Sequence, residues 1–590
     1  MRITPNTLTI SQLFGASNEQ YVIPTYQRRY SWRDRQIWEL VDDVLLMEGG
    51  DRHLLSSIVC LAGDHSAGIN ILELVDGQQR LTTVAILLEC IRQRFEREGK
   101  KDDASEVARL LHAKSPQGEV HPKVLLDSLD ASEYERLVRG DATGDFQNAD
   151  LVNAFKIVRY WVDDNDLSRV KELFYKLQNQ AIVIRLDVSD AKDAFKLFET
   201  INNRGLRLSP TDIIKNFLLG NAARFNPEAL KVAKEGWAAL IRHLDGTDLD
   251  VFFRYYVTSL VAARVTAGEV VQRFKHVFMN KVEEAAKLPE RHLYFDEAEP
   301  DDDVDDAGGP VTASKDSFGE RVSFATFLGK LVESAKTYGK LVLGRTGDTR
   351  IDRHLRNLAM IKATPTFGFL TYLRVGGCED RKFREVLDLT EALMLRRHTC
   401  RERTSDTEAL FARVCQIDPV DPVAKTREAY RELCPSDDRF QADFAGLSYA
   451  GKNIDRARYC LEKIEMSKHG EHPELRVLDA ADVHVEHVIP QKISTKRSRE
   501  EFGDWKIYLG ANAETQHPNF VGRIGNLTLF AGSLNIIASN NPFISKKREY
   551  RKSGILLTKD LALYQGFNFR TVEKRSKELA EKAVVLWPVP

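Results

Sequence analysis

The chain has 590 residues, 43% of them hydrophobic and 29% charged, which excludes a fibrous or low-complexity protein and exceeds what one hydrophobic core usually holds. A formal net charge of −2 excludes a uniformly basic nucleic-acid coat, so any nucleic-acid contact has to come from local basic patches. Seven cysteines stand singly with no C-x-x-C pair, the opening residues lack a signal-peptide pattern, and no apolar run approaches the ~18 residues of a membrane span. Free thiols, a cytoplasmic location and no membrane partner are the expectation.

Residues 1–225 mix short strands and helices. The first segment to stand out is Tyr21-Val22-Ile23-Pro24-Thr25-Tyr26-Gln27-Arg28-Arg29-Tyr30-Ser31-Trp32. Leu54–Ala62 and Ile71–Val75 are predicted strands, and Leu81–Arg94 a helix with an apolar face. Asp76-Gly77-Gln78-Gln79-Arg80 therefore sits at a strand-to-helix junction. Gly77 permits a tight turn, and the helix N-terminus offers N–H groups to an anion. Arg80 can fork onto a phosphate, and Asp76 can hold a metal or a water. No G-x-x-x-x-G-K-[ST] loop is present, so phosphate handling here would take a different form. The same residues equally allow the Gln and Arg side chains to cap the helix and pair internally.

Ala181–Leu186 is a further predicted strand and Ala191–Thr200 a helix, interrupted by Asn202-Asn203-Arg204-Gly205. Ser209-Pro210-Thr211-Asp212 has the form of a helix start leading into Ile213–Leu219, with Lys215 and Asn216 inside it. Residues 226–430 are dominated by helical periodicity. Within them, 296–310 is too acidic and too rich in Gly and Pro to bury apolar area, and a mobile surface loop is expected.

Residues 435–590 change character again. Val483–Ile489 and Ile524–Phe530 are predicted strands, followed by helix-compatible sequence. Glu486-His487 on the first strand, Asn526 on the second and Asn535 nine residues later resemble the HNH, or ββα-metal, nuclease pattern. Phosphodiester hydrolysis needs an activated water, which a neutral imidazole can deprotonate, so His487 is the candidate general base. It also needs positive charge on the phosphate, which Mg²⁺ or Mn²⁺ supplies from oxygen ligands. Glu486 offers a carboxylate and Asn535 an amide oxygen, and Asn526 would hold the imidazole or the loop that carries it. Adjacent strand residues face opposite ways, so Glu486 and His487 can share a site only where the strand ends or twists, which Pro490 favours. His484 shares the ideal face of Glu486. Lys492, Lys496, Arg497 and Arg499, and then Lys546, Lys547, Arg548, Arg551 and Lys552 with Tyr550 among them, form either a phosphate-binding patch or a solvated face.

Two motif sets on one chain narrow the reading. The three N-terminal segments resemble the ParB/sulfiredoxin-like domain of the GmrSD modification-dependent (type IV) restriction endonucleases, and the Glu-His…Asn…Asn set resembles their HNH half. Arg396-Arg397 matches a paired-arginine element often present between them. The resemblance implies an α+β, predominantly helical multidomain protein: a GmrS-like ParB/sulfiredoxin-like domain at 1–225, a helical connection at 226–434 and a GmrD-like HNH domain at 435–590. It implies an NTP-dependent endonuclease that cuts modified double-stranded phage DNA in the bacterial cytoplasm. GTP, ATP, UTP and CTP stay open as the nucleotide, and a homodimer is expected if both strands are cut. Under the resemblance Asp76, Gln79 and Arg80 join His487 and Asn526 as catalytic residues. Tyr26, Gln27, Arg28 and Asp76 to Arg80 hold the nucleotide, and Glu486 and Asn535 hold the metal. Asn202, Arg204, Gly205, Asp212, Lys215 and Asn216 match a third motif of undefined role. The alternatives are a nucleotide-switched DNA-binding regulator with a degenerate HNH domain, and an RNA-directed nuclease, because the site chemistry does not need a 2′-OH.

Overall fold

The computed structural model describes residues 3–48, 51–66, 68–141, 144–202, 209–288, 320–469, 483–493, 505–532 and 542–590. The acidic stretch 296–310 lies outside them. The fold is mixed α+β and predominantly helical, with small sheets. It divides into two compact units, Met1–Phe253 with Thr266–Lys336, and Arg254–Val265 with Thr337–Pro590, so the helical stretch 226–434 is shared between them. Among the described residues no helix is long and apolar enough to cross a membrane, and all seven cysteines are free.

The first unit is organised by a six-stranded mixed sheet. Its strands are β1 (Ile3–Thr9), β2 (Glu19–Ile23), β3 (His53–Ser66), β4 (Ile69–Asp76), β5 (Val124–Leu126) and β6 (Ala181–Val188), in the order β1-β6-β3-β4-β2-β5. β1–β6 and β3–β4 pair antiparallel, while β6–β3, β4–β2 and β2–β5 pair parallel. Parallel neighbours cannot be joined by tight turns, so helices carry the connections. α1 (Gln78–Arg97) leaves the end of β4 and is buried at every position from Leu81 to Ile91. A helix enclosed on all sides explains its apolar run, and each such Leu or Ile contributes about 2 kcal/mol of burial. Its one enclosed acid, Glu89, is answered by Arg92 at 2.6 and 2.9 Å. α2 spans Ala191–Asn202, and α3 spans Pro210–Phe225 behind the Ser209 cap, with Pro in the first turn.

In the helical part of the second unit, the fully buried carboxylate of Glu391 ties three helices together. Glu391 in α5 (Asp380–Thr399) accepts from His354 (2.6 Å) and Asn357 (3.0 Å) of α4 (Thr349–Met360). It also accepts from Tyr459 (2.6 Å) and Lys463 (3.0 Å) of α6 (Ile454–Lys468). Burial pushes Glu391 up, but these partners outweigh burial and hold it at about 2. The paired arginines are internal. Arg396 reaches the carbonyls of Trp587 (2.7 Å) and Pro435 (2.9 Å), and Arg397 those of Leu433 (2.7 Å) and Arg403 (3.1 Å).

Two strands complete this unit: β7 (Val483–His487) and β8 (Leu527–Ala531), antiparallel with Leu527 opposite His487. Helices α7 (Ala513–Phe520), α8 (Phe543–Tyr550) and α9 (Phe569–Leu586) pack around them. β8 is preceded by a 3₁₀ turn, Ile524–Asn526, which sits directly on α9. A Cβ at Gly525 would lie 2.1 Å from the Val572 carbonyl oxygen, so only glycine lets the two backbones approach. β7 ends at His487 rather than at Ile489, because the next residues are bonded to the Asn526 turn instead of to a strand.

Candidate active sites

In the first unit the motif segments converge. Gly77 has φ +96°, and its missing side chain leaves room for Ile58, whose Cγ2 would be 2.5 Å from a Cβ. This glycine turns the chain from β4 into α1 with no side chain capping the helix, whose N-terminus therefore suits an anion. Both glutamines of the motif hold the loop at 28–31. Gln78 Nε2 donates to the Arg28 carbonyl (2.7 Å). Gln79 Oε1 accepts from Ser31 N (2.8 Å) while its Nε2 donates to the Arg29 carbonyl (3.3 Å). The internal-pairing alternative thus describes the two glutamines, and Gln79, expected to be catalytic, has its amide engaged at both ends.

Arg80 differs from the glutamines. Arg80 is half-buried, 5.7 Å over the Trp32 ring; burial lowers its pKa, and the Asp76 carboxylate partly offsets that. Asp76 Oδ1 accepts from Gly77 N at 2.8 Å.

The first motif lies partly beneath this surface. Tyr26, 1% exposed, donates its hydroxyl to Glu73, which Lys234 pairs at 2.7 Å. Gln27, 5% exposed, donates to the carbonyls of Leu74 and Val75, both at 3.1 Å. Both were expected to touch a nucleotide; their burial supports a supporting role. Arg28 keeps 46% of its side chain exposed and stands 3.7 Å from Asp212. The third motif joins the cluster here, because Lys215 donates to Gln27 Oε1 at 2.6 Å and lies 3.9 Å from Asp212. Asn216 is buried and donates to the Asp212 carbonyl. Arg204 and Gly205 lie outside the described residues.

The second unit holds a cleft of about 480 Å³ whose lining includes Val485, Glu486, His487, Pro490, Gln491 and Lys546. Glu486 and His487 both line it, at the C-terminal end of β7. Asn526, fully buried, explains the stop. Its Oδ1 accepts from Ile489 N (2.8 Å), and its Nδ2 donates to the carbonyls of Ile489 and Val521 (2.9 Å each). Of the two expected roles, it holds the loop and not the ring. Burial, Lys546 and His517 together push the His487 imidazole down to about 4, so it is neutral near pH 7. His484, opposite Phe530, is exposed and is not among the cleft residues. Asn535 lies outside the described residues.

Lys546 departs from expectation. The sequence places it in an exposed basic run, but α8 turns it inward. It is 1% exposed, with Nζ 2.5 Å from Glu486 Oε1 and 2.9 Å from the His487 carbonyl. Burial raises the Glu486 carboxyl and Lys546 opposes that; burial likewise lowers Lys546 and Glu486 opposes it. Tyr550, also expected in the basic patch, is buried; its phenol is pushed well up by burial and next by the Glu486 charge. The exposed cations are Lys492, Arg548, Arg551 and Lys552, the last paired with Glu549 at 2.8 Å, and Lys547 is half-buried. Lys496, Arg497 and Arg499 lie outside the described residues. Sequence reading missed His517, which bonds the Pro490 carbonyl at 2.8 Å and steadies the same loop. A lone histidine in a short helix carries no signal of that contact.

Comparison with known families finds one match within each unit. No curated protein matches the chain. The model of the GmrSD restriction endonuclease N-terminal domain matches residues 10–219, and that of the GmrSD C-terminal domain matches residues 434–582. Together these cover more than half of the sequence, and the chain belongs to the GmrSD restriction endonuclease family, with both of its domains on one polypeptide.

Proposed function

We propose that the chain is an NTP-dependent endonuclease that cleaves modified, foreign double-stranded DNA in phage defence, with His487 as the general base. The observation that carries this reading is the cleft, where a neutral imidazole stands beside a carboxylate on a loop clamped by Asn526. A base with its proton off at pH 7 takes one from water without prior activation. The strand–strand–helix order β7–β8–α8 suits an HNH-type site. We read 435–590 as that domain, 1–225 as a ParB/sulfiredoxin-like nucleotide domain and 226–434 as the helical connection.

Glu486 and Asn535 are the residues we assign to a divalent cation, Mg²⁺ or Mn²⁺. The donor chemistry, a carboxylate and an amide oxygen, fits a hard cation, and Lys546 contacts one oxygen of that carboxylate, Oε1. Bound there, the cation would supply positive charge to the phosphate and the leaving group. Lys546 contributes a fixed positive charge to the same cleft. Arg548 and Arg551, exposed on and just beyond α8, suit backbone phosphates. In the first unit, Arg80, Arg28 and the open N-terminus of α1 are the groups we assign to the NTP phosphates, and Asp76 to its metal or water. Gln78 and Gln79 position the loop that carries Arg28. We place the protein in the bacterial cytoplasm, and cutting both strands with one such cleft per chain calls for a homodimer.

The test is cleavage of plain, glucosyl-hydroxymethylcytosine and phosphorothioate plasmids, and of labelled RNA, with Mg²⁺ or Mn²⁺, with and without each NTP. Modification-dependent DNA cutting that responds to NTP and disappears in His487→Ala is expected. Uncut DNA with NTP still consumed would leave a nucleotide-switched regulator, and preferential RNA digestion would overturn the substrate.

A further inference from the structure

Lys215 is a lysine where a purely structural helix would carry an apolar residue. Its neighbours on α3, Ile214, Phe217 and Leu218, are buried, and it is itself only 4% exposed. Enclosing an ammonium is costly unless it is paired closely. Its nearest carboxylate, Asp212, is 3.9 Å away, and its short bond of 2.6 Å goes to the neutral amide of Gln27. A methionine would fill the same space without that cost.

The bond to Gln27 does something an apolar contact cannot. An amide has an acceptor end and a donor end, and either can face a given partner. With Oε1 held by Lys215, Nε2 must face the carbonyls of Leu74 and Val75, which it meets at 3.1 Å each. Those are the last two carbonyls of β4 before Asp76 and the Gly77 turn into α1. We propose that Lys215 is a positioning residue of the nucleotide site: it sets the orientation of the Gln27 amide, which fixes the end of β4 and with it Asp76 and the N-terminus of α1. The third motif is then a working part of the N-terminal site although it need not touch the nucleotide. This inference rests on the nucleotide reading above.

The experiment uses the full chain and two variants, Lys215→Met and Gln27→Glu. NTP hydrolysis, titration with a fluorescent nucleotide and thermal melting are measured on each. Lys215→Met should lower kcat roughly ten- to hundredfold with KM changed less than about twofold, since a small misplacement costs turnover more than binding. Gln27→Glu gives Lys215 a stronger partner but sets a carboxylate against the Leu74 and Val75 carbonyls. It should lose turnover to the same degree, and its melting temperature reports how far the closer ion pair with Lys215 offsets the two carbonyls left without a donor. Wild-type kcat in a folded variant of either kind would overturn the proposal while leaving the nucleotide site intact; Gln27→Glu decides the matter even if Lys215→Met does not fold. A wild-type chain that neither binds nor hydrolyses any NTP would overturn the nucleotide reading and this inference together.

Discussion

The two candidate sites are held by different means. In the first unit three neutral amides, Gln27, Gln78 and Gln79, bind backbone groups and leave Arg28 and Arg80 at partial exposure. In the second, one amide, Asn526, holds the backbone, and a charge pair, Lys546–Glu486, is sealed into the wall of the cleft. A neutral staple costs little to bury and loses about one hydrogen bond's worth when cut. A buried ion pair becomes an uncompensated charge when one partner is removed. The second site should therefore be the more brittle, although it has fewer motif residues.

The largest expected effect is in that pair. Lys546→Met leaves Glu486 enclosed without its cation and should destabilise the second unit by about 3–5 kcal/mol in chemical denaturation. Adding Glu486→Gln should recover part of the loss; strict additivity would show that the pair is not coupled. Next comes Asn526→Ala, which orphans Ile489 N and the carbonyls of Ile489 and Val521, and should cost about 3 kcal/mol. It should abolish DNA cutting while NTP consumption persists. Loss of both activities in equal measure would contradict separate sites.

Gln79→Ala sharpens the contrast from the other side. Two loop contacts are lost near a partly exposed surface, so about 1–2 kcal/mol is expected, with NTP turnover reduced more than stability. The smallest effect is in pH. With His487 held at about 4, the base is already neutral above that value. Cleavage should rise with pH through about 4 and show no histidine limb between pH 6 and 7. The stability contribution has the same sign: the depressed pKa favours the folded state above the unfolded value near 6.5, and that advantage fades as pH falls through about 4. A pH–rate limb near 6.5 would show that His487 is solvated like an ordinary histidine.

Much of the local structure was legible in advance. The strands at 54–62, 71–75 and 181–186, the helix after Arg80 and the Ser209 cap all occur where pattern and capping chemistry place them, because these signals are local. Pro490 pointed to the early end of β7. The edge strands β1 and β5 were missed: β5 is only the three residues Val124–Leu126, and β1, with Pro5 and Asn6 inside it, lacks a strand pattern, so each takes its identity from the neighbour it pairs with. Lys546 was misplaced for a related reason. A run of Lys-Lys-Arg reads as a solvated face, and only the packing of α8 shows that its first member points inward.

The amino-acid sequence by itself determined the family, the two sets of motifs and the residue types that bear the chemistry. Charge chemistry and turn geometry are written into DGQQR and into Glu486-His487 whatever surrounds them. The tertiary structure decided which of those side chains stay accessible to a ligand and which hold the backbone. Lys215 and Gln27 are 188 positions apart and Lys546 and Glu486 are 60 apart. Contacts over such separations depend on how helices dock, and no local pattern encodes that.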